Sequence, residues 1–274
     1  MMKIGFIDYY LDEWHANHYP QWLKEASNGE IEVTIAYALI DSPIGGRTTQ
    51  KWCSDMGIAQ AASIEEVIEK SDALVVLSPD NCEMHEQLCQ LPLRSGKPTY
   101  VDKTFAPDYE TAKRIFDIAE ASGTPCYSTS ALRYATEYQG IENVRAISSW
   151  GPNEFETYAI HQLEPIMMLM RGEPRRVQYL PGEKGYSMAI EFKDGRCATL
   201  CGGGDAPFAM QIRTENGEKK IEVKSDMFRY FMQHLVAFFR DPKQIVPHEE
   251  TLRIMAVRGA GVKAILKPGE WVET

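Results

Sequence analysis

Short apolar runs closed by polar residues fill the first half of the chain, and helical stretches separate most of them. Residues 3–7, 31–38, 73–77, 98–102 and 125–129 read as strands, with a short one at 58–60. Helices are predicted over 12–27, 82–95 and 108–122. Ser63-Ile-Glu-Glu66 is a capping-box pattern that opens one more, to about residue 70. Alternation of this kind predicts parallel strands joined by right-handed crossovers, a doubly wound α/β domain over residues 1–126.

After about residue 130 the pattern changes. A strand at 144–150 and a helix at 157–171 precede five strands in succession, at 175–180, 186–192, 197–202, 207–213 and 219–224. Asp194-Gly195 and Asn216-Gly217 are hairpin turns, because both central positions of such turns need a positive φ. Helices at 226–240 and about 248–266 close the chain. The second half, 127–274, is therefore expected to be α+β with an open, mostly antiparallel sheet.

The 274 residues carry a net charge of -10, which argues against a nucleic-acid surface and an anionic membrane. No apolar run is long enough to span a bilayer. Met1-Met-Lys-Ile-Gly-Phe-Ile7 enters a strand directly, so no signal peptide is expected. The six cysteines are scattered without a Cys-x-x-Cys pair, which fits reduced thiols in the cytoplasm and no metal site.

Ligands of parallel α/β sheets sit at the carboxyl ends of the strands. Two runs end there: Ser71-Asp-Ala-Leu-Val-Val-Leu-Ser-Pro-Asp80, and Gly96-Lys-Pro-Thr-Tyr-Val-Asp-Lys-Thr-Phe-Ala-Pro107. Lys103 is thereby placed to deliver a charge or a proton into a cleft. Farther on, Thr157, His161 and Glu164 share one helix face, and Ile160, Leu163, Met167 and Met170 form the opposing stripe, expected to be core.

Several of these runs fall in an order that resembles the glucose–fructose oxidoreductase/inositol dehydrogenase (Gfo/Idh/MocA) family. They are Asp102-Lys103-Thr104, where that family has Glu-Lys-Pro; Ser130-Ala-Leu-Arg-Tyr134; Thr157-Tyr-Ala-Ile-His-Gln-Leu-Glu164; Met170-Arg-Gly-Glu-Pro174; and His248-Glu-Glu-Thr-Leu-Arg-Ile-Met255. The resemblance implies a Rossmann-like first domain and hydride transfer between NAD or NADP and a sugar, polyol or related alcohol. It implies that Lys103 orients the substrate hydroxyl and that His161 exchanges its proton. Asp8, Tyr10, Ser78, Asp80 and Asp102 would line the cofactor cleft. The physical logic is that alcohol oxidation removes a hydride and a proton, so a base belongs beside the hydride path.

One region departs from that pattern. The first strand of a dinucleotide fold runs into Gly-x-Gly-x-x-Gly, but this chain reads Gly5-Phe-Ile-Asp-Tyr-Tyr-Leu-Asp-Glu-Trp14. Asp8, Tyr10 and Glu13 take the three glycine positions, and Ala38 stands where a ribose-binding acid is expected. Weak or absent dinucleotide binding is the expectation. The loop Pro43–Lys51 offers cations and amides for a phosphate, with a plain surface loop as the alternative. His15 and His18 flank the altered turn among Tyr9, Tyr10, Trp14, Tyr19 and Trp22. A non-catalytic family member, acting as a binding, regulatory or accessory subunit, is therefore the alternative to an enzyme. A homodimer or larger homo-oligomer is expected through the second sheet, with Met188, Ile190 and Phe192 on its uncovered face, or their neighbours if the register shifts by one.

Overall fold

The computed structural model describes residues 1–243 and 246–274. The chain forms two compact units. The first takes Met1–Ala106, Glu110–Thr129 and Phe231–His248, and the second takes Pro107–Tyr109, Ser130–Tyr230 and Glu249–Thr274.

The first unit has a strand–helix alternation: β1 (Met2–Tyr10), α1 (Trp14–Ala26), β2 (Ile31–Ile40), α2 (Thr49–Met56), β3 (Ala59–Gln60), α3 (Ile64–Lys70), β4 (Ala73–Val76), α4 (His85–Leu88), β5 (Thr99–Val101), α5 (Tyr109–Ser122) and β6 (Cys126–Tyr127). The six strands are parallel in the order β3-β2-β1-β4-β5-β6. This is the doubly wound Rossmann-like sheet expected from the sequence. All four residues of β4 are buried, as a strand covered on both faces requires. Gly5 lets α3 approach β1 closely: a Cβ there would lie 2.3 Å from Val67 Cγ1 and 2.4 Å from Ser71 Oγ.

Three local expectations change. The single helix expected over 82–95 is a 3₁₀ turn at Cys82–Met84, the short α4, and a second 3₁₀ turn at Pro92–Arg94. Pro92 has no N–H to continue a helix through that position. The last three residues of the loop expected at Pro43–Lys51 are the start of α2, whose N-cap Thr48 accepts from Lys51 N–H. Helix α1 begins two residues later than expected, because Glu13 caps it.

The second unit holds β7 (Val144–Gly151), α6 (Phe155–Met170), β8 (Pro174–Gly182), β9 (Gly185–Phe192), β10 (Cys197–Gly202), β11 (Ala209–Thr214) and β12 (Gly217–Glu222). After α7 (Met227–Arg240) and α8 (His248–Ile265) comes β13 (Trp271–Glu273). Its seven-stranded sheet runs β12-β11-β7-β10-β9-β8-β13, antiparallel except where β10 meets β7. Residues 231–240 of α7 belong to the first unit, where Phe231 packs on Tyr19 and Tyr100, with ring centroids 5.8 and 5.5 Å apart.

The uncovered-face expectation is corrected by the burial of the second sheet. Met188, Ile190 and Phe192 are buried within the chain, and Ser187, Ala189 and Glu191 alternate with them on the more open side. The register shift allowed for in the sequence reading is therefore the one that holds, because the apolar face packs inward against α6 and α8. Gly261 of α8 permits that packing: a Cβ there would meet Phe155 Cζ at 2.2 Å.

Candidate active site

In the first unit, charged side chains gather at the carboxyl end of the sheet. Asp8 leaves the end of β1 and is buried, with Oδ2 making no hydrogen bond among the described residues. Burial, with the charges of Glu13 and Asp102, pushes its carboxyl well above the ordinary range. Asp102 and Lys103 follow β5, both buried. Asp102 Oδ2 pairs with His15 Nδ1, and Oδ1 accepts the Lys103 backbone N–H at 2.9 Å. The Tyr100 hydroxyl lies 3.1 Å from Oδ1 and 2.9 Å from the Thr129 carbonyl. Burial alone would raise the Asp102 carboxyl, but His15 and Lys103 outweigh it and hold it below the usual value. Among the described residues the Lys103 ammonium makes one hydrogen bond, to the Pro79 carbonyl at 3.5 Å, and its charge acts on Asp102.

Helix α1 supplies the other side of the cluster. Its terminal N–H groups need an acceptor, and Glu13 provides it, accepting from His15 N at 2.6 Å and from Ala16 N. Burial pushes the Glu13 carboxyl up to about 7, against the pull of His15 and the two amides. The His15 ring stacks on Tyr19, with centroids 4.8 Å apart, and the Tyr19 hydroxyl lies 3.1 Å from Nδ1. Tyr10 is buried, and burial together with Asp80, Asp8 and Glu13 lifts its phenol to about 12. Ser78 is buried with its hydroxyl turned to the Asn81 carbonyl at 3.2 Å, and Asp80 is exposed. Of the expected cleft residues, Asp8, Asp102 and Lys103 therefore share one charged cluster, and Ser78 turns its hydroxyl elsewhere.

In the second unit, α6 carries His161, whose Nδ1 lies 2.7 Å from Ser130 Oγ, between the rings of Tyr158 and Phe208. Two features set its place. Gln162 clamps α6 to the sheet, accepting from Ser149 Oγ at 2.7 Å and donating to the Cys201 carbonyl at 3.1 Å. Pro165 has no N–H for the His161 carbonyl, four residues back. The opposing stripe of Ile160, Leu163, Met167 and Met170 is buried, as expected. Glu164 is committed elsewhere: Arg133 Nε donates to it at 2.9 Å, and Arg133 Nη2 pairs with Glu250.

Residues 16–130 match the model of the oxidoreductase family with an NAD-binding Rossmann fold, GFO_IDH_MocA. Over that stretch, less than half of its length, the chain is similar to the Gfo/Idh/MocA oxidoreductases. It is similar in fold to the myo-inositol dehydrogenase of Lactobacillus casei, solved with NAD(H) and myo-inositol, at TM-score 0.80 and 15% identity over 100% of this chain and 96% of that one. It is similar to a myo-inositol dehydrogenase of Corynebacterium glutamicum at 0.76 and 12%, over 99% and 98%. The UDP-N-acetylglucosamine 3-dehydrogenase GnnA of Acidithiobacillus ferrooxidans gives 0.73 and 13%, over 94% and 97%. No curated protein sequence is matched. At these identities the likeness shows the fold alone.

The family match begins at residue 16, after β1 and its altered turn. In a dinucleotide fold the first helix terminus receives the cofactor's diphosphate. Here Glu13 fills that terminus, with Asp8 and Asp102 behind it. Arg47, the cation of the nearby loop, is spent on Asp12, and Asp41 accepts from Thr49 N–H at 2.6 Å. In this arrangement Glu13 takes the amide hydrogen bonds that a diphosphate would take at this terminus. From the sequence alone Glu13 is the occupant of a lost glycine position and His15 a flank of the altered turn; the cap and the pairing with Asp102 come from the fold. Acid or His just before a helix is a weak signal, and the partner of His15 lies 87 residues away.

Proposed function

We propose that this chain is an oxidoreductase of the family acting on a hydroxyl of a sugar, polyol or related alcohol. The observation that carries this reading is the Lys103 ammonium, buried at the strand ends and held by one carbonyl at 3.5 Å. A buried cation so thinly partnered gains from a ligand oxygen, which it would hold and polarise. His161, with Ser130 on Nδ1, is the proton-exchanging group that the family pattern assigns. Myo-inositol and nucleotide sugars act as guides to the substrate class through the similar folds, and NAD or NADP is the family's hydride acceptor, which supplies the redox step when bound.

A second reading has its own support. Glu13 on the α1 terminus favours a member that binds a polyol without hydride transfer. Fluorescence titration with NADH and NADPH decides between them. Binding in the micromolar range with turnover of a polyol sustains the enzyme; no binding of either dinucleotide at millimolar concentration leaves the binding member. The more open face of the second sheet, with Trp150, Leu180 and Trp271 exposed among polar residues and the ion pairs Arg176–Glu191 and Arg213–Glu218, supports self-association. Light scattering is expected to give a mass of at least twice 31.0 kDa, and a mass of one chain at micromolar concentration would remove this surface as an interface.

A further inference from the structure

The first unit holds two buried histidines of different kinds. His85 is enclosed, with Nδ1 3.0 Å from the Phe105 carbonyl and Nε2 2.5 Å from the Leu77 carbonyl. Both of its nitrogens are committed to backbone, which makes it a tie inside the fold. His15 uses only Nδ1, toward Asp102 and Tyr19. Its Nε2 has no hydrogen-bond partner among the described residues and is not among the fully buried unpartnered atoms, and the side chain keeps 9% of its surface open.

We propose that His15, held by Asp102, is a proton-exchanging residue of the site that contains Lys103. This rests on the reading that the ligand is a hydroxyl compound. A buried carboxylate on Nδ1 keeps the imidazole proton there, so the lone pair stands on Nε2, and the same carboxylate stabilises the imidazolium once Nε2 gains a proton. Asp102 ties the two groups together, because its other oxygen accepts the Lys103 backbone N–H. The step is a proton transfer and nothing more. The ligand O–H bond breaks, an N–H bond forms at Nε2, and the electron pair stays on the ligand oxygen, where the Lys103 ammonium neutralises it. The groups that set the field at His15 are Glu13 and Tyr19 on its own helix, Asp8 at the end of β1, and Asp102 and Lys103 after β5.

The bland alternative is that His15 and Asp102 only fasten α1 to the sheet, and the test separates the two. The full chain, labelled with ¹⁵N-histidine, is titrated by NMR from pH 5 to 9. The expected spectrum shows the Nδ1–H tautomer, with the lone pair on Nε2. A proton resident on Nε2 in the neutral ring overturns the assignment. Turnover of myo-inositol with NAD or NADP is then measured against pH. His15→Asn keeps a side-chain N–H for Asp102 but lacks the second nitrogen. It is expected to melt near wild type, to lose about 100-fold in kcat/KM, and to lose the acidic limb of the profile. An unchanged kcat/KM and profile in His15→Asn leaves His15 a fastening and overturns the proposal. If wild type turns over no polyol, the enzyme reading fails instead, and the His15 assignment is judged on the imidazole tautomer alone.

Discussion

Each unit of this protein buries a knot of charge, and the two knots are built differently. In the second unit Arg133 stands between buried Glu164 and half-buried Glu250, so each carboxylate meets the guanidinium. Burial would weaken the Arg133 charge, yet the two glutamates hold its pKa above the ordinary value. In the first unit three carboxylates, Asp8, Glu13 and Asp102, share the end of a sheet with His15 and Lys103. Among the described residues, one carboxylate oxygen has no hydrogen bond, and one ammonium has a single long one. A balanced knot fastens a fold. An unbalanced one stores an unmet demand that a ligand can satisfy.

The largest expected effect breaks the balanced knot. Arg133→Met leaves Glu164 buried without its counter-charge and is expected to destabilise the second unit by about 3–5 kcal/mol. Urea denaturation measures this, and adding Glu164→Leu should restore part of the loss. A change below about 1 kcal/mol in the single variant would show that the triad is solvated and that the contrast between the units is false.

In the first unit, Lys103→Met is expected to lower polyol turnover by about 100-fold with little change in melting temperature, because its ammonium contributes one weak contact to the fold. Unfolding without a separate loss of turnover would make Lys103 a structural residue. His161→Ala is the parallel test on α6, with the same expected scale.

Glu13 sharpens the comparison through pH. The folded state holds its proton to about pH 7, against 4.5 for an ordinary glutamate. Its contribution therefore favours the folded state most at low pH, falls as pH rises between those values, and stays low above the upper one. The slope should amount to about 1–3 kcal/mol across that window. Glu13→Gln should flatten it; a wild-type stability that rises with pH there, with the same slope in Glu13→Gln, would remove Glu13 as its source.

The smallest expected effect concerns the cofactor. Glu13→Ala uncovers the His15 and Ala16 amides and, above about pH 7, removes an anion from the diphosphate seat. NADH affinity should rise about tenfold, the scale of a like charge at close range in a partly screened cleft, at a cost of about 1 kcal/mol for the lost cap. Unchanged calorimetric affinity would show that Glu13 does not compete for that terminus.

Much of this was legible in the chain itself. Strand–helix alternation at the start and closely spaced strands with Asp-Gly and Asn-Gly turns later determined two kinds of sheet, because the periods 3.6 and 2 are local properties. Lys103 was placed at a strand end by the same grammar, and the lost glycines marked the altered turn. Other features depended on distant partners. The break at Pro92 sat inside an otherwise helical pattern, and β13 is three residues whose pairing with β8 no local signal announces. Residues 231–240 join the first unit because Phe231 finds Tyr19 and Tyr100, more than 100 positions away. The inward face of β9 was a choice between two registers, settled by α6 and α8. Glu13 looked like added charge and became a helix cap. His15 looked like one aromatic among several and became the partner of Asp102. The sequence by itself determined which segments are strands and helices and where a ligand-facing lysine falls. Only the tertiary structure decided which buried charges are paired, because that depends on side chains brought together by folding rather than by spacing along the chain.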